Sequence, residues 1–307
     1  MRTQLVGHDK VKDLLCQELA SPHHAYLFMG PPGIGKASLA KDFGMALLFG
    51  EEEAPEEHPD LIHLVDEKSL KKEAIAQVVE EAQKGAYEGS RKVFLLEDAH
   101  LMTDAAQNAL LKSLEEPLPG VFFLLTAPSR ESLLPTIASR VKSISMRSLS
   151  REELKANLLQ QDPRLSPEEL ELYAALGKGS LSRAIGWMGD GDRLQERRVF
   201  LTGVLELRKR SGAWAFSLAE SIGTDRARAL DYAQMLADLF EDVMRQGVGP
   251  FHHPDMTRRL SEISWPPGAA EALYDRAMKL KKDLEQNAQV RLQFEAAFLY
   301  LQEVTHD

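Results

Sequence analysis

The sequence predicts an α/β domain built on a mostly parallel sheet, followed by segments that are helical only. A strand, glycine loop and helix start run without a break from Tyr26 to Leu39, as Tyr-Leu-Phe-Met-Gly-Pro-Pro-Gly-Ile-Gly-Lys-Ala-Ser-Leu. Apolar strands then alternate with helical stretches from about residue 25 to 147, the pattern of strands joined by crossover helices. From Ser150 the periodicity turns helical and stays so.

Taken in order, Val11, Leu14, Leu15 and Leu19 fall at helical spacing after a turn at Leu5–Asp9. His23 and His24 lead into the first strand; with no Cys or acidic partners nearby, a surface or strand-edge role suits them better than metal ligation. Ala37 to Phe49 reads as a helix, and Glu51 to Glu57 as a solvated acidic loop. Pro59 to Val65 reads as a second strand, Lys68 to about Lys84 as a helix, and Lys92 to Asp98 as a strand ending in two acids. A helix from Thr103 to Glu116 is stopped by Pro117. Val121–Thr126 is a buried strand, Pro135 to Arg140 a turn or short helix, and Val141–Met146 the last strand. Ser150 with Glu153, and Ser166 with Glu169, have the spacing of capping boxes and open helices near 151–160 and 167–176. A third helix spans 180–188, Gly189-Asp-Gly-Asp breaks it, and helical stretches such as 227–244 and 288–304 follow. Pro250, Pro254 and Pro266-Pro267-Gly268 mark loops between them.

The length of 307 residues suits two or three domains, and 44% hydrophobic residues supply ordinary cores. No apolar run reaches the roughly 20 residues of a membrane span. The N-terminus has no signal-peptide core, so a soluble cytosolic protein is expected. The lone cysteine, Cys16, excludes an internal disulfide and leaves no cysteine cluster for zinc. A formal charge of −10 argues against nucleic-acid binding through one large basic face.

The chemistry centres on Gly30 to Lys36, which matches the phosphate-cradling pattern G-x-x-x-x-G-K. Gly30, Gly33, Gly35 and Lys36 are therefore candidate phosphate-binding residues, placed where a helix N-terminus favours an anion. The alternative is a tight strand–helix turn with no ligand. The next position should carry the Ser or Thr hydroxyl that binds Mg²⁺, and here it is Ala37. Ser38 lies about 100° further round the helix and does not substitute. Glu97 and Asp98 stand where such proteins place a metal-holding and a water-polarising carboxylate, but in reversed order. Equally, they read as acids favouring the N-terminus of the following helix.

Three stretches carry a family resemblance: His24 to Lys36, Asn108-Ala-Leu-Leu-Lys-Ser-Leu-Glu-Glu-Pro, and Leu134-Pro-Thr-Ile-Ala-Ser-Arg. In this order and spacing they resemble the clamp-loader subunits of bacterial DNA polymerase III, which are AAA+ proteins. The likeness is good to about residue 185 and faint beyond, apart from Asn287 to Leu301. The resemblance implies an AAA+ P-loop-type module at 1–148, a small helical lid at 149–190 and a helical collar at 191–307 that assembles a ring-like loader. It implies delta and gamma or tau subunits as neighbours, with the sliding clamp and primed DNA as indirect partners and no membrane. It further implies that Arg140 acts as an arginine finger on ATP held by a neighbour, with Ser139-Arg140-Val141 replacing the cysteine of the family's Ser-Arg-Cys motif but keeping its arginine; the alternative is an ordinary surface or salt-bridging arginine.

The departures from the family point one way. Beyond Ala37 and the inverted Glu97–Asp98 pair, Ala127-Pro128 follows Thr126 where motor subunits carry a polar sensor, and Ser182 falls on the lid arginine position with Arg183 one place late. The acidic loop stands where many members carry a four-cysteine zinc module, so no metal is expected. The expectation is a subunit with little ATPase activity of its own that requires no cofactor and uses ATP at the neighbour's site. Two other readings stay open: an active gamma/tau-type ATPase with Mg²⁺ held by Glu97, Asp98 and water, and a stand-alone DNA-binding module, which the acidic balance disfavours.

Overall fold

The structure, a computed structural model, describes residues 5–50, 58–65, 72–245 and 248–305. The acidic stretch Glu51 to Glu57, and the start of the helix expected from Lys68, lie outside the described residues. The chain divides into two compact units, Met1–Arg164 with Gly177–Arg183, and Leu165–Leu176 with Ala184–Asp307.

The first unit runs α1 (Asp9–Glu18), β1 (Ala25–Met29), α2 (Lys36–Phe49), β2 (Leu61–Leu64), α3 (Lys72–Ala82), β3 (Lys92–Leu96), α4 (Asp104–Glu115), β4 (Val121–Ala127), α5 (Pro135–Ala138), β5 (Lys142–Ser145) and α6 (Arg151–Gln161). Its five strands are parallel in the order β2-β3-β4-β1-β5. Side chains alternate across such a sheet, so each strand feeds both faces. Phe94, Leu96, Phe123 and Leu125 pack on the face covered by Ile75 and Val78 of α3 and Leu110 of α4. Val93, Leu95, Leu124, Tyr26 and Phe28 pack on the other, against Leu15 of α1 and Leu39 and Phe43 of α2. Burial on both faces explains why these strands read as near-continuous apolar runs.

The strand expected at Pro59–Val65 is shorter, Leu61–Leu64, because Pro59 and Asp60 form a turn. The fully buried Asp60 carboxylate accepts the N–H groups of Tyr87, Glu88 and Gly89 at 2.6, 3.0 and 3.3 Å, which ties that turn to the approach to β3. Thr103 caps α4 by accepting from Ala106 N. Ser150 and Glu153 form the expected capping box at the start of α6.

The remaining helices are α7 (Pro167–Gly177), α8 (Leu181–Met188), α9 (Gly191–Glu206), α10 (Gly212–Ile222), α11 (Arg226–Met244), α12 (Thr257–Ser261), α13 (Ala269–Glu285) and α14 (Val290–Thr305). Ser166 and Glu169 complete the second capping box, and Asp190 caps α9. The second unit's core joins α9, α11, α13 and α14 through Val204, Leu236, Phe240, Leu280, Phe294 and Phe298.

Within this core lies a buried polar cluster. Arg197 of α9, 1% exposed, donates to both carboxylate oxygens of Asp255 at 2.8 and 2.9 Å and to Nδ1 of His253 at 2.7 Å. His253 Nε2 faces the Met235 carbonyl at 3.1 Å, so the neutral ring accepts from Arg197 and donates to Met235. Burial, reinforced by the Arg197 charge, lowers the His253 pKa to about 3. Burial pushes Asp255 up, but the hydrogen bonds and charge of Arg197 outweigh it and its pKa falls. Asp242 accepts the N–H groups of His252 and His253 at 2.8 and 2.7 Å, yet burial leaves its pKa raised.

Candidate functional site

The glycine loop joins β1 to α2 at the carboxyl edge of the sheet, the edge where open α/β sheets bind ligands. Gly33 has φ +73°, and a Cβ there would meet Ser180 Oγ at 2.1 Å. The residue must be glycine both for its backbone and for that contact. Lys36 turns back over the loop: its Nζ donates to the carbonyls of Gly30 at 2.9 Å and Pro31 at 2.8 Å, and the side chain is buried. Burial lowers its pKa, while the charge of Asp98 works the other way. Ser182 N–H donates to the Gly33 carbonyl at 3.1 Å, and buried His8 donates from Nε2 to the Ile34 carbonyl at 3.2 Å. Burial lowers the His8 pKa as well, so the ring is neutral. Four carbonyls of the loop, on Gly30, Pro31, Gly33 and Ile34, thus have donors from this same unit.

The acidic pair is split. Glu97 points to the sheet edge, where its Oε1 lies 2.6 Å from Nε2 of His63 on β2. Asp98 is half exposed and takes a left-handed backbone with φ +48°. Its N–H donates to the Thr126 hydroxyl at 2.8 Å. Thr126 is therefore present at the end of β4, buried, and already engaged in fixing the end of β3. Of the two acids it is Asp98 whose charge reaches Lys36.

The donors that would hold Mg²⁺ beside a nucleotide are reduced at this edge, with Asp98 the one carboxylate of the pair left half exposed near Lys36. Position 37 offers a methyl, Ser38 is exposed further round α2, and Glu97 is engaged with His63. Among the described residues no cluster of three or more His, Cys, Asp or Glu side chains is arranged to hold a metal. His23 and His24 each bond a main-chain carbonyl, those of Ala25 and Leu114.

Arg140 follows α5 and makes its contacts elsewhere. One terminal nitrogen donates to the Thr136 carbonyl at 2.8 Å and to Ser139 Oγ at 3.1 Å; the other pairs with Glu115 at the end of α4. Arg183 is exposed beyond Ser180, whose hydroxyl accepts its N–H. Sequence reasoning missed His63, His8 and Glu115. Only His63 left a signal, as a polar residue in an otherwise apolar strand beside the acidic strand end.

A sequence profile for the family described as "DNA polymerase III, delta subunit" matches residues 7–150. The DNA polymerase III subunit delta' of Escherichia coli is 30% identical over 244 residues, covering 74% of this chain and 71% of that one. The subunit delta' of Bacillus subtilis is 31% identical and covers 74% and 73%. The chain belongs to the DNA polymerase III delta' family. DNA polymerase III subunit tau of E. coli is also 30% identical, over 59% of this chain, but the match spans only 31% of tau. A gamma subunit-related protein of Thermotoga maritima superposes with a TM-score of 0.53 over 97% of this chain and all of its own, at 16% identity, a likeness in fold. The five-stranded parallel sheet of this delta' family member, followed by helices alone, is thus the fold of that protein as well. Among its described residues no helix is long and apolar enough to cross a membrane.

Proposed function

We propose that this delta' family member is a stator of the clamp loader: it hydrolyses little or no ATP itself and presents Arg140 to ATP on a neighbouring gamma or tau subunit. The delta subunit lies on its other side, and the assembly, in the cytoplasm, loads the sliding clamp onto primed DNA. The three-part division into AAA+ module (1–148), lid (149–190) and collar (191–307) belongs to the same reading. The observation that carries it is a contrast. The metal-holding positions of its own site offer the Ala37 methyl and a Glu97 carboxylate engaged with His63, while Arg140 remains at the surface in Ser139-Arg140-Val141, which keeps the arginine of the family's Ser-Arg-Cys motif and replaces its cysteine. Arg140 is the group that acts on the reaction, and it does so by placing positive charge against a transferring phosphoryl group.

The test is to titrate the isolated chain with ATP and Mg²⁺, then to count nucleotides bound after reconstitution with delta and tau. No turnover alone, and no more nucleotides bound than there are tau subunits, is the expected result. Steady phosphate release by the lone chain supports a gamma/tau-type ATPase instead and removes the stator reading.

A further inference from the structure

We infer that Glu115 is a positioning residue that holds Arg140 back against its own subunit until a neighbour's triphosphate draws the guanidinium away. The inference rests on the role proposed above for Arg140. Thr136, whose carbonyl accepts from Arg140, lies four residues earlier, so the side chain folds back over the last turn of α5 instead of extending. Ser139 Oγ takes a second donor of the same nitrogen, and Glu115 Oε1 lies 2.5 Å from the other nitrogen. Glu115 is the last residue of α4 and is followed by Glu116. Two carboxylates at a helix C-terminus add to the negative end of its dipole, an arrangement that favours a cation there.

The hold is built to be broken. The Arg140 side chain is 33% exposed and that of Glu115 47%, so solvent and salt screen the pair and it contributes little stability. A hydrogen bond from guanidinium to phosphate in a drier interface is stronger, so exchange of partners runs toward the triphosphate. Glu115 then sets how readily the arginine leaves, and its charge also opposes the approach of phosphate. A carboxylate that merely braced the arginine in its working position would have the opposite effect when removed.

The experiment uses the loader reconstituted from this chain, delta and tau, with ATP hydrolysis measured for Glu115→Gln, Arg140→Ala and the double variant. Glu115→Gln is expected to raise kcat/KM for ATP about two- to fivefold, the range a weak exposed ion pair can supply. The gain should shrink as ionic strength rises and vanish in the Arg140→Ala background. Unchanged or lower kcat/KM in Glu115→Gln, with Arg140→Ala slow, overturns the inference and leaves the role of Arg140 standing. A gain that persists without Arg140 overturns it too, since Glu115 then acts elsewhere. Normal hydrolysis in Arg140→Ala removes the reading of Arg140 and this inference together. Glu115→Asp, which keeps the charge on a shorter arm, should give a smaller gain than Glu115→Gln.

Discussion

Ser180 Oγ occupies the space that a side chain on Gly33 would need, 2.1 Å from the position of its Cβ. With the Ser182 N–H bond to the Gly33 carbonyl, this locks the glycine loop to the turn before α8. Gly33→Ala therefore meets both a clash and a left-handed φ of +73°. It should cost about 1–3 kcal/mol of unfolding free energy. Adding Ser180→Gly should relieve the clash but not the backbone cost of about 1–2 kcal/mol. Urea midpoints of the single and double variants check this; a Gly33→Ala chain as stable as the parent contradicts it.

The loop itself was legible in the sequence because glycine spacing encodes backbone geometry directly, and so were both capping boxes. The fate of Glu97 was not. Its partner, His63, is 34 residues away, and only the parallel register that sets His63 beside Leu95 brings them together. The same holds for Lys36: its pattern announces a phosphate ligand, but nothing local says that its amine reaches the Gly30 and Pro31 carbonyls. In the helical half, periodicity placed α11 and α14 to within two residues at each end. It could not reveal Arg197 meeting Asp255 across 58 residues, because a buried charge reads as a surface one until its partner is known.

That pair yields a second prediction. Arg197 has no exposed side-chain surface, so Asp255→Ala strands a buried guanidinium that keeps its hydrogen bond to His253 but loses both to the carboxylate. A loss of about 3–5 kcal/mol is expected. Replacing both, as Arg197→Leu with Asp255→Ala, should cost markedly less, since no buried charge is then left uncompensated and Arg198, which also pairs with Asp255 at 3.6 Å, is half exposed. Denaturant midpoints of the three variants decide it; equal losses in the single and double variants contradict it.

Acid should loosen the second unit through His253. Its pKa is about 3 when folded and about 6.5 when unfolded, so between these values only the unfolded chain takes up the proton. The contribution is complete above about pH 6.5 and is lost progressively as pH falls from there toward 3. Asp255, lowered on folding, adds to the loss below the ordinary Asp range, whereas the raised Asp242 opposes it. His253→Gln keeps an acceptor and a donor but does not titrate. It should flatten the fall in stability between about pH 6.5 and 5 by up to about 1.4 kcal/mol per pH unit. An unchanged slope contradicts the assignment.

Lys36 and Arg140 should respond in opposite ways to substitution. Lys36→Ala removes donors to the Gly30 and Pro31 carbonyls and a charge near Asp98, all within this subunit. If the site at that edge plays no part in hydrolysis, the reconstituted loader should keep its ATP turnover and clamp loading. Arg140→Ala should leave assembly intact, because Arg140 holds only an exposed pair and bonds to its own segment. Yet hydrolysis at the facing site should collapse, toward the 10³- to 10⁵-fold scale of arginine fingers. Arg140→Lys should recover little of it, since an ammonium lacks the planar fork that spans two phosphate oxygens. Loss of loading in Lys36→Ala would mean that this subunit's own cradle works; full activity in Arg140→Ala would mean that the phosphoryl transfer needs nothing from this chain.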